Sequence, residues 1–306
     1  MNTNTELKLD LTNETLRNQV DEILNQFGLN FNIEKVELAD IKQNRLSKFF
    51  GLYHSETNEC LATVRKDYRV TQTEEIVGII LTAIKLFGNL RVVKAGSING
   101  GRKIFIQLEI DGISIVNGER ITRYLTIIDS NDKSHCLSIG IGDLTASCMN
   151  MFNYFYKKAD FKLCHASTLE AKLKAIPSKI SAAIEQSAIQ IGTYQKMSET
   201  DVTSDDIHKL VKLVLGYDKV FTSVEDLAKK SKKSIEKMES LYDCISSEMN
   251  QKGFSVYGLF NGVTYFTTHI LKSKLKRDNS RNETLLVGTA HVMNQKAFDY
   301  CVALIG

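Results

Sequence analysis

The stretch Leu90–Gly142 decides the fold and reads LRVVKAGSINGGRKIFIQLEIDGISIVNGERITRYLTIIDSNDKSHCLSIGIG. Within it, runs rich in β-branched and aromatic residues alternate with turns that carry glycine, asparagine or aspartate. This spacing is typical of consecutive strands joined by tight turns. It predicts an antiparallel meander with strands at Leu90–Lys94, Lys103–Ile110, Ile121–Ile128 and His135–Ile139.

Helices are predicted before and after the meander. Thr71 and Glu74 have the spacing of a capping box, apolar residues then recur every three or four positions up to Phe87, and Gly88 supplies a stop. After the meander, the apolar and aromatic run Leu144–Tyr156 predicts a second helix. A sheet of this kind has to cover its apolar face with helices, so the sequence predicts a two-layer α+β fold.

The remaining segments extend this core at both ends. The N-terminal region predicts three elements, namely a helix at Leu11–Phe27, a strand at Phe31–Leu38 and a hairpin formed by Phe49–His54 and Cys60–Val64. The C-terminal half is expected to be mostly helical. We predict four units, which are an N-terminal extension at 1–48, an α+β core at 49–166, a helical insert at 167–251 and C-terminal helices at 252–306 that pack back on the core.

Composition limits the class of protein. The 306 residues, 43% of them hydrophobic, can bury a sizeable core. No apolar run reaches the roughly 18 residues that cross a bilayer, and the first residues lack the layout of a signal peptide. We therefore expect a protein of the host cytoplasm, with no membrane partner, metal or cofactor. Reduced thiols are expected because the cysteines are far apart, at Cys60, Cys136, Cys148, Cys164, Cys244 and Cys301.

Basic residues recur around the meander, although the net charge is only +3. Clustered cations can bind phosphates, and a nearby tyrosine such as Tyr124 can stack on a base. The alternative is an ordinary solvated sheet face with aromatic residues in the core. The candidate contacts are Arg91, Lys94, Arg102, Lys103, Arg120, Arg123, Lys157 and Lys158.

A second basic cluster lies in a polar loop between two apolar helices of the C-terminal region. A basic loop can hold a nucleic-acid backbone without reading its sequence, and the alternative is a solvated surface loop. The lysines between Lys229 and Lys237 indicate only an exposed helix face. The candidate contacts in the loop are Lys272, Lys274, Lys276 and Arg277.

Several segments together resemble a family of phage- and plasmid-encoded proteins known mainly as a domain of unknown function. They are LATVRKDYRVTQTEE (Leu61–Glu75), AGSINGGRKIFIQLEI (Ala95–Ile110), YLTIIDSNDKSHCLSIGIGDLTASCMN (Tyr124–Asn150), SVYGLFNGVTYFTTH (Ser255–His269) and LLVGTAHVMNQKAFDYC (Leu285–Cys301). The chain departs from that pattern at Lys133, where glycine is usual, and at Thr145, where an Arg-Val-Val run is expected to begin.

The family has no settled activity. Its order of helix, meander and helix is similar to the core of single-strand annealing proteins such as RecT and Red-beta, which is a likeness of fold. The resemblance implies a homo-oligomer, either a ring or a filament, that binds single-stranded DNA and needs no nucleotide cofactor. It makes a strand-annealing accessory protein of phage or plasmid recombination the leading hypothesis.

Two other classes of function stay open from the residues alone. The protein could be an interaction module that binds a host or defence protein through its helical half. A metal-dependent nuclease is the third class, since Glu109 and Asp111 lie in the meander. No phosphate-binding Gly-Lys-Ser/Thr loop and no nucleophile elbow occur in the sequence, which favours binding over catalysis.

Overall fold

The computed structural model of the protein describes residues 14–42, 45–145, 151–155, 162–163, 165, 175–217, 232–272 and 280–306. A small antiparallel sheet comes first in the chain. Its strands lie in the order β1 (Ile33–Asp40), β2 (Arg45–His54) and β3 (Cys60–Arg65). The predicted hairpin is therefore formed by β2 and β3. The predicted boundary at residue 48 lies within β2.

The large sheet contains the predicted meander. Its strands follow one another in chain order, and the last one pairs with β7 beside the main path. Every pair is antiparallel, so the predicted α+β fold with an antiparallel meander is confirmed. The strands are β4 (Leu90–Ile98), β5 (Lys103–Val116), β6 (Glu119–Ser130), β7 (Leu137–Thr145), β8 (Met151–Phe155) and β9 (Lys162–Leu163).

One predicted helix is wrong. The described residues of the predicted helix Leu144–Tyr156 are strand, because β7 continues to Thr145 and Met151–Phe155 is the strand β8. Residues 146–150 and 156 lie outside the described residues. Backbone pairing joins Gly140 to Phe155 and Leu144 to Met151. Aromatic residues favour strands wherever a neighbouring strand offers hydrogen bonds, and β7 provides that edge.

Helices fill most of the C-terminal half, as predicted. A π-helical turn at Phe266–Ile270 continues the sixth helix directly. The helices are α1 (Glu14–Gln26), α2 (Thr73–Phe87), α3 (Ile176–Glu199), α4 (Ser204–Leu215), α5 (Lys232–Lys252), α6 (Val256–Tyr265), α7 (Ser280–Leu286) and α8 (Thr289–Leu304). No helix in the described ranges has both the length and the apolar character to cross a membrane.

Helices cover both faces of the large sheet, so the predicted two-layer arrangement is wrong. Alternate residues of a strand point to opposite faces. On one face Ile104 and Ile106 pack in a core shared with Ile80 of α2 and Ile180 of α3. On the other face Phe105 packs with Ile98, Ile128 and Leu286 of α7. The sheet is therefore the middle layer at this point.

The start of α2 lies one residue later than predicted. Its N-cap is Gln72, whose backbone N–H donates to Glu75 Oε2 over 2.9 Å. The Gln72 side chain also exchanges two hydrogen bonds with the backbone of Ile33, which joins α2 to β1. Gln72 thus caps α2 and also binds β1, and the sequence pattern of a cap does not indicate the contact with the strand.

Candidate functional site

A basic pocket opens between the large sheet and the C-terminal helices, with a volume of about 580 Å³. Three lysines from distant parts of the chain line it, namely Lys103 of β5, Lys237 of α5 and Lys272. Glu283 and Thr284 of α7 form another wall, and Gly288 with Thr289 at the start of α8 completes it. We call this site the basic pocket.

Lys103 is the buried anchor of the pocket and is only 8% exposed. Its ammonium group donates to Glu283 Oε1 over 3.0 Å and lies 3.5 Å from Asp132 Oδ2. A buried cation needs such partners, because removal of an ion from water is unfavourable. Lys103 therefore fixes α7 against β5, and its charge is balanced within the protein.

Asp132 stays ionised beside this lysine. Burial alone would raise the pKa of the Asp132 carboxyl, but hydrogen bonds from Ser134 and the charge of Lys103 hold that pKa below its ordinary value. The residue next to it, Lys133, has φ of 64°, in the left-handed region that glycine adopts easily. The turn that precedes His135 therefore keeps the backbone shape of a glycine position despite the lysine.

A second anchor holds the segment that brings Leu271 and Lys272 to the pocket wall. The Arg281 guanidinium donates to Leu271 O over 2.6 Å and to Thr267 O over 2.8 Å. These carbonyls belong to the end of the π-helical turn, where backbone oxygens lack helical partners. Burial lowers the pKa of Arg281. Lys272 follows directly after Leu271, and its side chain is exposed.

The electrostatics of the pocket favour an anion. Lys237 and Lys272 line the pocket together with Lys103, and the N-terminus of α8 adds the positive end of a helix dipole. Gly288 caps this helix without a side-chain hydrogen bond. Phosphate groups are suited to such a combination of lysines and backbone N–H groups.

The other predicted contacts on the meander do not meet in one groove. Arg91 pairs with Glu109 over 2.7 Å, and Lys94 donates to Asn282 Oδ1 over 2.9 Å. Burial lowers the pKa of Lys94. Arg102 binds Glu59 over 2.6 Å and donates to Leu61 O over 2.7 Å. Each of these cations is therefore engaged within the protein.

Three further candidates lie apart from the pocket. Arg123 is on the sheet face that packs against α3, where it donates to Ser187 Oγ over 3.2 Å. Tyr124 is half-buried opposite Glu109, and burial together with that carboxylate raises its pKa. Arg120 is exposed at the start of β6. The candidates Lys157, Lys158, Lys274, Lys276 and Arg277 lie outside the described residues.

The structure thus brings together Lys103 and Lys272 among the predicted contacts. Sequence reasoning missed Lys237 and the start of α8. The lysines between Lys229 and Lys237 were visible in the sequence, but nothing local distinguishes the one that faces a pocket. Among the described residues, no three histidine, cysteine or acidic side chains converge in a manner suited to a metal ion.

Fold and site together define a two-sheet α+β protein with a basic pocket where its sheet and helical half meet. A family model with the description "Domain of unknown function (DUF932)" matches residues 60–286. The match covers well over half of the chain, which therefore belongs to this family. The predicted resemblance to a domain-of-unknown-function family is confirmed to that extent. No curated protein and no solved structure matches the chain.

Proposed function

We propose that this protein binds single-stranded DNA through the basic pocket and serves as a strand-annealing accessory protein of phage or plasmid recombination. The observation that carries the proposal is the meeting of Lys237, Lys272 and the α8 N-terminus in one pocket of about 580 Å³. Lysines bind phosphate through their charge, and helix N-termini bind it through backbone N–H groups. Neither contact depends on the base sequence.

Backbone binding of this kind suits annealing. A strand held by its phosphates leaves its bases available to a complementary strand. The affinity comes from the release of counterions, so it falls as salt rises, with a slope of about 0.7 per phosphate contact for a single strand. No nucleotide cofactor enters this scheme, because pairing of the two strands supplies the free energy.

The same proposal includes self-association. Proteins that anneal strands have to hold many nucleotides in register, which a ring or filament of identical subunits achieves. Light scattering with and without oligo-dT would show a rise in mass with the DNA. The functional measurement is the rate at which two complementary strands pair, which the protein should increase.

The test of the pocket is fluorescence anisotropy of a labelled oligo-dT strand at low and moderate salt. The double charge reversal Lys237→Glu with Lys272→Glu should weaken binding at least about 10-fold. It should also reduce the salt slope by about 1.4, because two phosphate contacts are lost. Lys103 is kept, since its loss would leave Glu283 buried without its partner.

The matched control is Lys85→Glu with Lys196→Glu. Both lysines are exposed, on α2 and α3, neither lines the basic pocket, and the net charge changes by the same amount. Equal loss of affinity in the two double variants would mean that overall charge, and not the pocket, attracts DNA. No binding by the wild-type protein at low salt would contradict the proposal and favour the protein-interaction alternative.

A further inference from the structure

The small sheet presents a second surface, on the face that points away from the core. Phe50 and Val64 pair across β2 and β3, and Val64 is buried in the core. Their neighbours Phe49 and Arg65 also pair, and they share the opposite face because directly paired residues point the same way. Phe49 is 47% exposed there. The ring is thus available on the outer face of the sheet.

This ring forms part of the lining of a pocket of about 510 Å³. The pocket is lined by Lys48 and Phe49 of β2, by Arg65 of β3, and by Lys66 and Asp67 that follow. We call it the Phe49 pocket. Three cations and one carboxylate therefore line the pocket together with the aromatic ring.

The cations of the Phe49 pocket differ in one respect from Arg91, Arg102 and Lys103 of the meander. Within the described ranges, none of the side chains of Lys48, Arg65 and Lys66 forms an ion pair, whereas Arg91, Arg102 and Lys103 all do. A cation without a carboxylate partner contributes its full charge to the surrounding field. In the part of the chain that the structure describes, the Phe49 pocket therefore combines an exposed ring with three cations that form no ion pair.

An exposed ring in a pocket with three cations matches the chemistry of a single-stranded polynucleotide. Every base has a π-face that can stack on an aromatic side chain, and its flanking phosphates need cations nearby. A duplex offers phosphates but keeps its bases stacked inside. An apolar protein segment would have to bury these three charges without partners, which is unfavourable.

We infer that the Phe49 pocket is a second contact for single-stranded nucleic acid, in which a base stacks on Phe49 while Lys48, Arg65 and Lys66 bind the adjoining phosphates. The inference takes its ligand from the proposed function but needs none of the residues of the basic pocket. Arg102 and Lys103 are consecutive residues, and each binds an element that belongs to one of the two pockets. Arg102 binds β3 at Leu61, and Lys103 binds α7 at Glu283.

Anisotropy with labelled oligo-dT at several salt concentrations tests the stacking contact. Phe49→Leu keeps an apolar side chain and removes the aromatic face, so binding should weaken about 10-fold with an unchanged salt slope. Phe49→Tyr keeps the ring and should bind like the wild-type protein. Phe254→Leu is the matched control, because Phe254 is 66% exposed and lines neither pocket, and it should have no effect.

The phosphate contacts have a different signature in the same assay. Arg65→Gln with Lys66→Gln should reduce the salt slope by about 1.4, since two cations are removed. Equal affinities of Phe49→Leu and Phe254→Leu, with no change in slope for the glutamine pair, would overturn the inference. If the double variant Lys237→Glu with Lys272→Glu still weakened binding, the proposed function would stand without the second contact at the Phe49 pocket.

The opposite outcome would support the Phe49 pocket and contradict the basic pocket. Loss of affinity in Phe49→Leu, with rescue by Phe49→Tyr and no effect of changes in the basic pocket, would support the inference and overturn the assignment of the basic pocket. Failure of the wild-type protein to bind oligo-dT at low salt would overturn both. Circular dichroism melts of each variant test whether a loss of affinity comes from a loss of fold.

Discussion

At the scale of single residues, Asp143 shows how far burial shifts an acid in this protein. It lies on β7 opposite Arg123 and is 4% exposed. Its Oδ2 accepts hydrogen bonds from Tyr194 Oη over 2.9 Å and from Gln190 Nε2 over 2.5 Å. Its Oδ1 has no hydrogen-bond partner among the described residues. Burial raises the pKa of Asp143 to about 7, although Tyr194, Arg123 and Gln190 favour its charged form.

This shift predicts a pH dependence of stability. The unfolded carboxyl has its ordinary pKa near 3.8, so between about pH 4 and pH 7 the folded protein binds more protons than the unfolded chain. The free energy of unfolding should therefore fall as pH rises through that window, by up to about 1.4 kcal/mol per pH unit. Asp143→Asn should abolish this part of the fall, and urea unfolding at several pH values measures it.

The comparison is made as the difference between the variant and the wild-type protein at each pH, so that other titrating groups cancel. Asp205→Asn is the control, because Asp205 lies in an exposed pair with Lys209. This variant removes one carboxylate but leaves Asp143 in place, so it should keep the fall in stability that Asp143 causes. A difference for Asp143→Asn that is constant from about pH 4 to pH 8 would contradict a raised pKa at this position.

Single residues also explain why the site could be predicted only in part. Lys103 and Lys272 were predicted as phosphate contacts from their positive charge. The ion pair of Lys103 with Glu283 joins residues 180 positions apart, and no local pattern indicates it. Phe49 was assigned to a strand, but its exposure depends on which face of the small sheet packs on α1 and α2. Pairing across the chain therefore decides which cations and rings remain available.

At the scale of elements, the meander was predictable because its strands repeat the same local pattern. Strands β4 to β7 begin within two residues of the predicted starts, and all four extend further than predicted. The strand β8 was not predictable, since the five residues MFNYF are too short to distinguish a helix from a strand by period. Its hydrogen bonds with β7 decide the outcome.

The contact of α5 with α6 is another element-scale feature that depends on particular residues. Gly258 and Gly262 lie four positions apart on α6 and face α5. A Cβ atom on Gly262 would overlap the backbone of Ile245 on α5, and one on Gly258 would overlap the carbonyl oxygen of Gly253. The two helices therefore approach more closely than larger side chains allow.

Substitution by alanine should have opposite effects at two helical glycines. Gly262→Ala should destabilise the protein by roughly 1–3 kcal/mol, because a methyl group is forced into a packed contact. Gly192→Ala on α3 has open space around the added methyl group and should stabilise it by roughly 0.5–1 kcal/mol. Thermal melts of the two variants measure the contrast. Melting of Gly262→Ala at or above the wild-type temperature would contradict the close approach.

At the scale of the whole molecule, a buried ionic network joins the large sheet to the helical half. Lys252 at the end of α5 binds Glu119 Oε2 of β6 over 2.8 Å, Glu248 Oε2 over 3.2 Å and Asn261 Oδ1 of α6 over 3.1 Å. Tyr257 Oη donates to the same Glu119 oxygen over 3.2 Å. The sheet end also packs into the helical core, because Val116 and Ile121 belong to that cluster.

Removal of this one cation should therefore affect the molecule as a whole. The Lys252 side chain is 3% exposed, and its removal would take away the cation that both Glu119 and Glu248 bind. Lys252→Met should lower the free energy of unfolding by roughly 3–5 kcal/mol, as measured by urea titration. Lys209→Met is the matched control, since Lys209 forms an ion pair with Asp205 at the same i,i+4 spacing but on the surface, where solvent screens it.

The control should unfold at nearly the wild-type urea concentration. Adding Glu119→Gln and Glu248→Gln to Lys252→Met should recover part of the lost stability, because neutral amides replace two carboxylates that have lost their cation. This recovery distinguishes electrostatics from a simple packing defect, which the glutamines would not repair. If Lys252→Met and Lys209→Met unfolded at the same urea concentration, the network would not be what holds sheet and helices together, and the apolar contacts of Val116 and Ile121 would have to suffice.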